Sequence, residues 1–200
     1  IGTPLGLGDD AGVVVPLPFD FKFYGVFHNE VGISSNGYLS FGSDLTDFSN
    51  DAIPDPFDPN DLIAPFWDDL APNNRGEVYH YEDPAGGYVV VQWDDVPRFA
   101  DLATSATFQV ILFANGTIKY QYLSMSGTLD SETIGIENVD GSVGLEVAFN
   151  TEYVHDLLAV MITPWWLATN PIVGTVPGGN NADVDVWFIT DGLGQGPHTG

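Results

Sequence analysis

Two pairs of adjacent aspartates are the residues whose type and spacing best suit a chemical task. Asp9 and Asp10 form the first pair, and Asp68 and Asp69 form the second, directly after Trp67. Both pairs lie where a predicted strand meets a loop, and carboxylate oxygens in loops are preferred ligands of Ca²⁺. We therefore predict all four as calcium ligands. The alternative is that they cap turns by accepting hydrogen bonds from backbone N–H groups.

Catalytic groups have no comparable pattern. The chain contains no cysteine and no Gly-x-Ser-x-Gly motif, so a thiolate nucleophile and a hydrolase elbow are excluded. The histidines at 28, 80, 155 and 198 lack the close spacing of metal ligands. Adjacent carboxylates on a strand point to opposite faces, so neither Asp68-Asp69 nor Asp94-Asp95 makes a glycosidase acid–base couple. We predict no catalytic residue and expect a protein that is not an enzyme.

Two further features could take part in recognition. The sequence Asn115-Gly116-Thr117 matches the acceptor signal for N-glycosylation, which makes Asn115 a candidate attachment site. The same residues would also form a tight turn. The tryptophans at 165, 166 and 187 could stack on sugar rings, or the Trp165-Trp166 pair could pack at a junction between modules, and we expect packing.

The charge of the chain excludes several classes of partner. Its 200 residues carry 28 acidic and four basic side chains, giving a formal net charge of −24. Nucleic acid and anionic membrane surfaces would repel such a protein. No apolar run reaches the roughly 18 residues of a spanning helix, so no membrane insertion is expected. The acidity fits either a solvated surface or calcium binding.

Short strands separated by glycine and proline dominate the pattern. Phe19, Phe21 and Phe23 would share one strand face, and Ile33 would lie across an Asn-Gly turn from Leu39. Many short strands with turns between them indicate an all-β antiparallel β-sandwich. Strands are predicted at residues 12–16, 19–24, 30–34, 38–42, 77–82, 87–96, 106–113, 117–123, 133–137, 144–149 and 157–163.

Residues 43–70 differ from the rest of the chain. Eight aspartates are interleaved with four prolines in this stretch. We predict a long acidic loop, stiffened by proline, that crosses the mouth of the sandwich. Its expected apolar anchors are Ile53, Phe57, Leu62, Ile63, Phe66 and Trp67.

Three stretches together resemble the nidogen-like (NIDO-type) β domain: residues 18–25, 33–42 and 63–70. The resemblance covers residues 1–164. It implies an extracellular or cell-surface module whose role is architecture and contact. Because small secreted eukaryotic domains usually carry disulfides, the absence of cysteine favours a prokaryotic source.

Residues 165–200 resemble the opening of a bacterial Ig-like surface repeat, with a Trp-Leu pair followed by a Pro-x-x-Gly-Thr-Val-Pro-x-Gly turn. An Ig-like sandwich needs about 100 residues, so this strand set is incomplete and cannot bury its apolar face alone. The residues predicted to form an interface with another chain are Trp165, Trp166, Val184, Val186 and Phe188.

Together these features predict a non-catalytic extracellular structural or adhesive protein. Copies of the chain would join head to tail, each completing its neighbour by β-strand addition, into a surface array or filament. Two alternatives stay open. One is an accessory module of a secreted hydrolase, and the other is a calcium-dependent carbohydrate-binding module that contacts surface glycans.

Overall fold

A computed structural model describes residues 2–42 and 44–164, together with the backbone of residues 167–170 and 185–188. All regular elements in these ranges are strands, and none of these residues forms a helix with the length and apolarity needed to cross a bilayer. The strands are β1 (Thr3–Pro4), β2 (Gly12–Phe23), β3 (Val26–Ser34), β4 (Leu39–Ser40), β5 (Leu62–Trp67), β6 (Glu77–Glu82), β7 (Tyr88–Arg98), β8 (Asp101–Phe113), β9 (Ile118–Ser126), β10 (Thr133–Glu137), β11 (Gly144–Phe149), β12 (Ala159–Ile162), β13 (Leu167–Asn170) and β14 (Asp185–Phe188).

Two six-stranded sheets form the sandwich. Sheet A has the strand order β1-β6-β7-β8-β9-β12, and sheet B has the order β11-β10-β5-β4-β3-β2. Neighbouring strands in both sheets are antiparallel. This arrangement confirms the predicted all-β antiparallel sandwich. Strands β13 and β14 pair with each other in a separate two-stranded sheet.

Alternating apolar residues place the main core between the sheets. Trp93 of β7 stacks on Phe108 of β8, with ring centroids 4.9 Å apart, and Phe66 of β5 packs on Phe108 from sheet B. Phe21 and Phe23 of β2 are also buried, as predicted from their period of two. Burial of large aromatic side chains is the main source of stability in such a core.

Both Asn-Gly turns form as predicted. Ile33 pairs with Leu39 across the first turn, and Phe113 hydrogen-bonds to Thr117 across the second. Gly37 has a φ of +78°, and a Cβ there would lie 1.9 Å from the carbonyl oxygen of Phe66. Only glycine fits, because the first turn is completely buried beneath neighbouring segments.

The acidic loop is shorter than predicted. Its last part, Leu62–Trp67, is strand β5, which lies between β4 and β10 and is buried along its whole length. Loop residues Leu45 and Ile53 cover one face of β5 in a small second core, so that strand is apolar on both faces and lacks the usual alternation. Phe57, predicted as an anchor, is instead 75% exposed.

Candidate functional site

The buried turn after β3 organises one end of the sandwich. The Asn36 side-chain amide donates to the Asp10 carboxylate at 3.0 Å and to the Asp47 carbonyl at 3.2 Å. Its oxygen accepts the Leu70 N–H at 3.0 Å. One buried amide therefore holds the N-terminal segment, the acidic loop and the end of β5 together. We call this end of the molecule the acidic pole.

Three carboxylates converge at the acidic pole. Asp9, Asp10 and Asp69 each place an oxygen within 4.8 Å of the others. One carboxylate oxygen of Asp9 is buried and has no hydrogen-bond partner within the described part of the chain. Burial, followed by repulsion from Asp10 and Asp9, raises the pKa of Asp69 to about 6. The arrangement offers oxygen ligands to a divalent cation, which would relieve the repulsion.

Asp68, the fourth predicted ligand, lies in a different set of contacts. Its carboxylate accepts the Arg98 guanidinium at 2.8 Å and the Ser131 hydroxyl at 3.1 Å. Burial raises the pKa of Asp68, and the neighbouring Arg98 opposes that effect. Asp68 is therefore already paired with a protein cation and stands outside the three-carboxylate group.

A buried glutamate lies beside this ion pair. Glu132 is fully buried, and one of its carboxylate oxygens has no hydrogen-bond partner among residues 2–42 and 44–164. Burial raises the pKa of Glu132 to about 7. Desolvation favours the neutral acid, so Glu132 can exchange a proton near neutral pH.

An apolar groove occupies the opposite end of the sandwich. It has a volume of about 560 Å³ and lies between the β2–β3 turn, the β8–β9 turn and the ends of β11 and β12. Its walls include Tyr24, Ile136, Leu145, Ile162 and Pro164. Residues 165–200 follow Pro164 directly in the sequence. We call this feature the exit groove.

The remaining predicted residues are distributed as follows. Asn115 is exposed at the rim of the exit groove, and its side-chain oxygen accepts the Thr117 N–H at 3.0 Å. Trp165, Trp166 and Val184 lie outside the described residues. Val186 and Phe188 belong to β14, of which the backbone alone is described.

The histidines in the described ranges form no metal cluster with one another. His28 stacks on Phe41, His80 is partly buried in β6, and His155 lies in an exposed turn. His198 lies outside the described residues.

Asn36 and Arg98 organise the site and were not predicted from the sequence. The Asn-Gly pair signalled a turn and gave no sign that the turn would be buried. Arg98 carried a weak signal, since it is one of only four basic residues in a strongly acidic chain. A rare cation in such a chain is a candidate partner for a buried carboxylate.

Comparison with known proteins supports the resemblance to the nidogen-like domain. A family model described as NIDO related matches residues 2–172. Alpha-tectorin of Mus musculus is 26% identical over 137 residues, which is 56% of this chain and 6% of the relative. Alpha-tectorin of Gallus gallus is 23% identical over 181 residues, covering 76% of this chain and 8% of the relative.

Alpha-tectorin of Homo sapiens is 30% identical over 106 residues, covering 52% of this chain and 5% of the relative. The chain thus spans less than a tenth of the length of these relatives. They are animal proteins and give no support to the predicted prokaryotic source. No solved structure matches the chain. The family match extends over most of the sequence, and the chain belongs to the NIDO-related family.

Proposed function

We propose that this chain is a non-catalytic structural module of an extracellular protein, and that its copies join head to tail by β-strand complementation. Membership of the NIDO-related family and the likeness to alpha-tectorin fit an extracellular structural role. The exit groove carries the head-to-tail part of the proposal, because it is an apolar cleft at the point from which residues 165–200 extend.

The strands beside the exit groove support addition of a further strand. Strands β11 and β12 are edges of sheets B and A, so each has one side without a strand neighbour among the described residues. Leu145 of β11 is 48% exposed and Met161 of β12 is 66% exposed. Open edges with exposed apolar residues are suitable places for a strand from another chain to pair.

The charge of the protein sets a condition on assembly. Copies that each carry a formal charge of −24 repel one another at low ionic strength. Because salt screens charges over about 10 Å at 0.1 M, assembly should increase with salt.

Comparison of the full chain with residues 1–164 tests the proposal. Light scattering after gel filtration and electron microscopy should show salt-dependent polymers for the full chain and a monomer for the shorter one. Polymers of residues 1–164, or a full chain that stays monomeric at every salt concentration, would contradict the proposal.

A substitution at the exit groove distinguishes assembly through this groove from nonspecific aggregation. Leu145→Asp places a charge on the groove wall and should abolish the polymers. Val139→Asp is the matched control, because Val139 is 64% exposed in the β10–β11 turn and does not line the groove. Circular dichroism would establish that both variants fold.

The convergence of Asp9, Asp10 and Asp69 favours a second, compatible role. We propose that these three carboxylates bind Ca²⁺ and fix the acidic pole. The buried Asp9 oxygen without a partner supports this role, because such an atom is costly unless a cation or donor satisfies it.

A further inference from the structure

The outer face of sheet A carries a row of three glutamines at matched register. Gln92 of β7 pairs with Gln109 of β8, which pairs with Gln121 of β9. Tyr79 of β6 pairs with Gln92 and extends the row. Directly paired residues of antiparallel strands project from the same face. Since Trp93 and Phe108 point into the core, this row faces outward.

Aromatic side chains lie beside the glutamine row on the same face. Tyr81 and Tyr88 have ring centroids 6.2 Å apart, and those of Tyr88 and Phe113 are 5.9 Å apart. Val90 and Ile111 occupy the paired positions between these rings and the glutamines. All of these side chains are partly exposed, so they form a continuous surface on a rigid sheet.

The glutamine row ends in a depression. A cavity of about 280 Å³ is lined by Gln92, Gln109 and Gln121 and bounded by Leu123 and Leu157. Leu123 is 62% exposed and Leu157 is 80% exposed. A pocket that combines polar amides with apolar walls is typical of sites for molecules that carry both polar groups and apolar surface.

The charge of this face differs from that of the molecule. The row through Tyr81, Val90 and Ile111 continues to Lys119, and neither this row nor the glutamine row contains a carboxylate. Lys119 is the charged residue of these two rows, and an area without carboxylates is unusual in a chain of net charge −24. A neutral ligand can approach it without the repulsion that an anion would meet.

We propose that the outer face of sheet A binds an uncharged polysaccharide. Each glutamine amide has two donor hydrogens and an acceptor oxygen, which matches sugar hydroxyl groups that also donate and accept. The Gln109–Gln121 hydrogen bond of 2.8 Å orients the amides before a ligand binds. The aromatic faces provide apolar surface for the C–H faces of the sugar rings.

A second copy of the chain fits this face less well. Face-to-face packing would bring together the acidic residues of both copies that border the row, including the paired Glu77 and Asp94. Like charges placed directly opposite each other are destabilising. The strands are spaced by about 4.8 Å, so the row from β6 to β12 spans roughly 19 Å, enough for several sugar units of one extended chain.

Binding of the full chain to neutral polysaccharides tests the proposal. Insoluble cellulose, chitin and starch would be used for co-sedimentation, and soluble oligosaccharides of the same types for calorimetry, all in EDTA. We expect at least one neutral glycan to bind and an anionic polymer, dextran sulfate, not to bind. Gln109→Ala and Tyr79→Ala, both in the row, should each weaken binding at least tenfold.

Two control variants lie away from this face. Phe57→Ala removes an aromatic ring that is 75% exposed, and Asn73→Ala removes an exposed amide, and both should bind like the parent protein. The proposal is overturned if no neutral glycan binds the full chain, or if the face variants bind at full strength. It is also overturned if Gln109→Ala changes the oligomeric state and leaves glycan retention unchanged. Because this site needs neither residues 165–200 nor calcium, its failure is distinguishable from failure of the proposed assembly.

Discussion

The environment of Asp9 favours binding of a cation or a proton. Its buried oxygen has no hydrogen bond, while Asp10 and Asp69 place further carboxylate oxygens within 4.8 Å. Burial, followed by repulsion from Asp10, raises the pKa of Asp9. Three mutually repelling carboxylates at one point favour either proton uptake or a bound cation.

Calcium should therefore stabilise the folded protein. With Ca²⁺ at about ten times its dissociation constant, linkage gives roughly 1.4 kcal/mol, which corresponds to a few degrees in melting temperature for a domain of this size. Asp9→Asn should remove the effect, and Asp20→Asn, an exposed change in β2, should keep it. Differential scanning calorimetry in EDTA and in millimolar Ca²⁺ measures both. An equal calcium response in the Asp9 variant would exclude the site.

At the scale of elements, strand β9 links the two sheets through tyrosine hydroxyls. Tyr120 donates to the carbonyl of Gly135 at 2.7 Å, and Tyr122 donates to that of Pro65 at 2.6 Å. Gly135 lies beside register shifts in the pairing of β10 with both β5 and β11. The hydroxyls therefore satisfy buried carbonyls in the irregular middle of sheet B.

Removing these hydroxyls should destabilise the protein without unfolding it. Tyr120→Phe and Tyr122→Phe should each cost about 1–2 kcal/mol, because each leaves a buried carbonyl without its donor. Tyr153→Phe, an exposed control, should cost less than about 0.5 kcal/mol. Urea unfolding measures all three. Wild-type stability in both buried variants would show that the hydroxyls do not link the sheets energetically.

At the scale of the whole molecule, buried acids make stability depend on pH. Burial raises the pKa of both Glu132 and Glu137 from 4.5 to about 7. Between pH 4.5 and about pH 7, these two carboxyl groups stay protonated in the folded state and are deprotonated in the unfolded state. Stability is therefore greatest near and below pH 4.5 for these groups and falls as pH rises through 7. The contribution is at most about 3 kcal/mol per residue.

Melting temperature should accordingly fall between pH 5 and pH 8. Glu132→Gln should flatten this dependence and raise the melting temperature at pH 8, because the neutral amide has no charge to desolvate. Glu152→Gln is the matched control, since it removes one exposed charge from the same acidic chain. An unchanged pH slope in the Glu132 variant would show that this carboxyl does not titrate as described.

Local patterns in the sequence predicted an antiparallel β-sandwich and its tight turns. Phe19, Phe21 and Phe23 alternate along one strand, and both Asn-Gly pairs specify tight turns between paired strands. These signals are local, because side-chain alternation and turn geometry depend on a few neighbouring residues. Strand β5 was not predicted, because a strand that is covered on both faces lacks the alternation of apolar and polar residues.

Contacts between residues far apart in the sequence became visible in the folded protein. The fold brought Asp69 to Asp9 and Asp10, paired Asp68 with Arg98, and buried Asn36 beneath three segments. It also aligned Gln92, Gln109 and Gln121 into one row on an outer face. Such contacts depend on strand register and on the packing of one sheet against the other. A shift of one residue would turn each side chain to the opposite face, so local patterns cannot determine them.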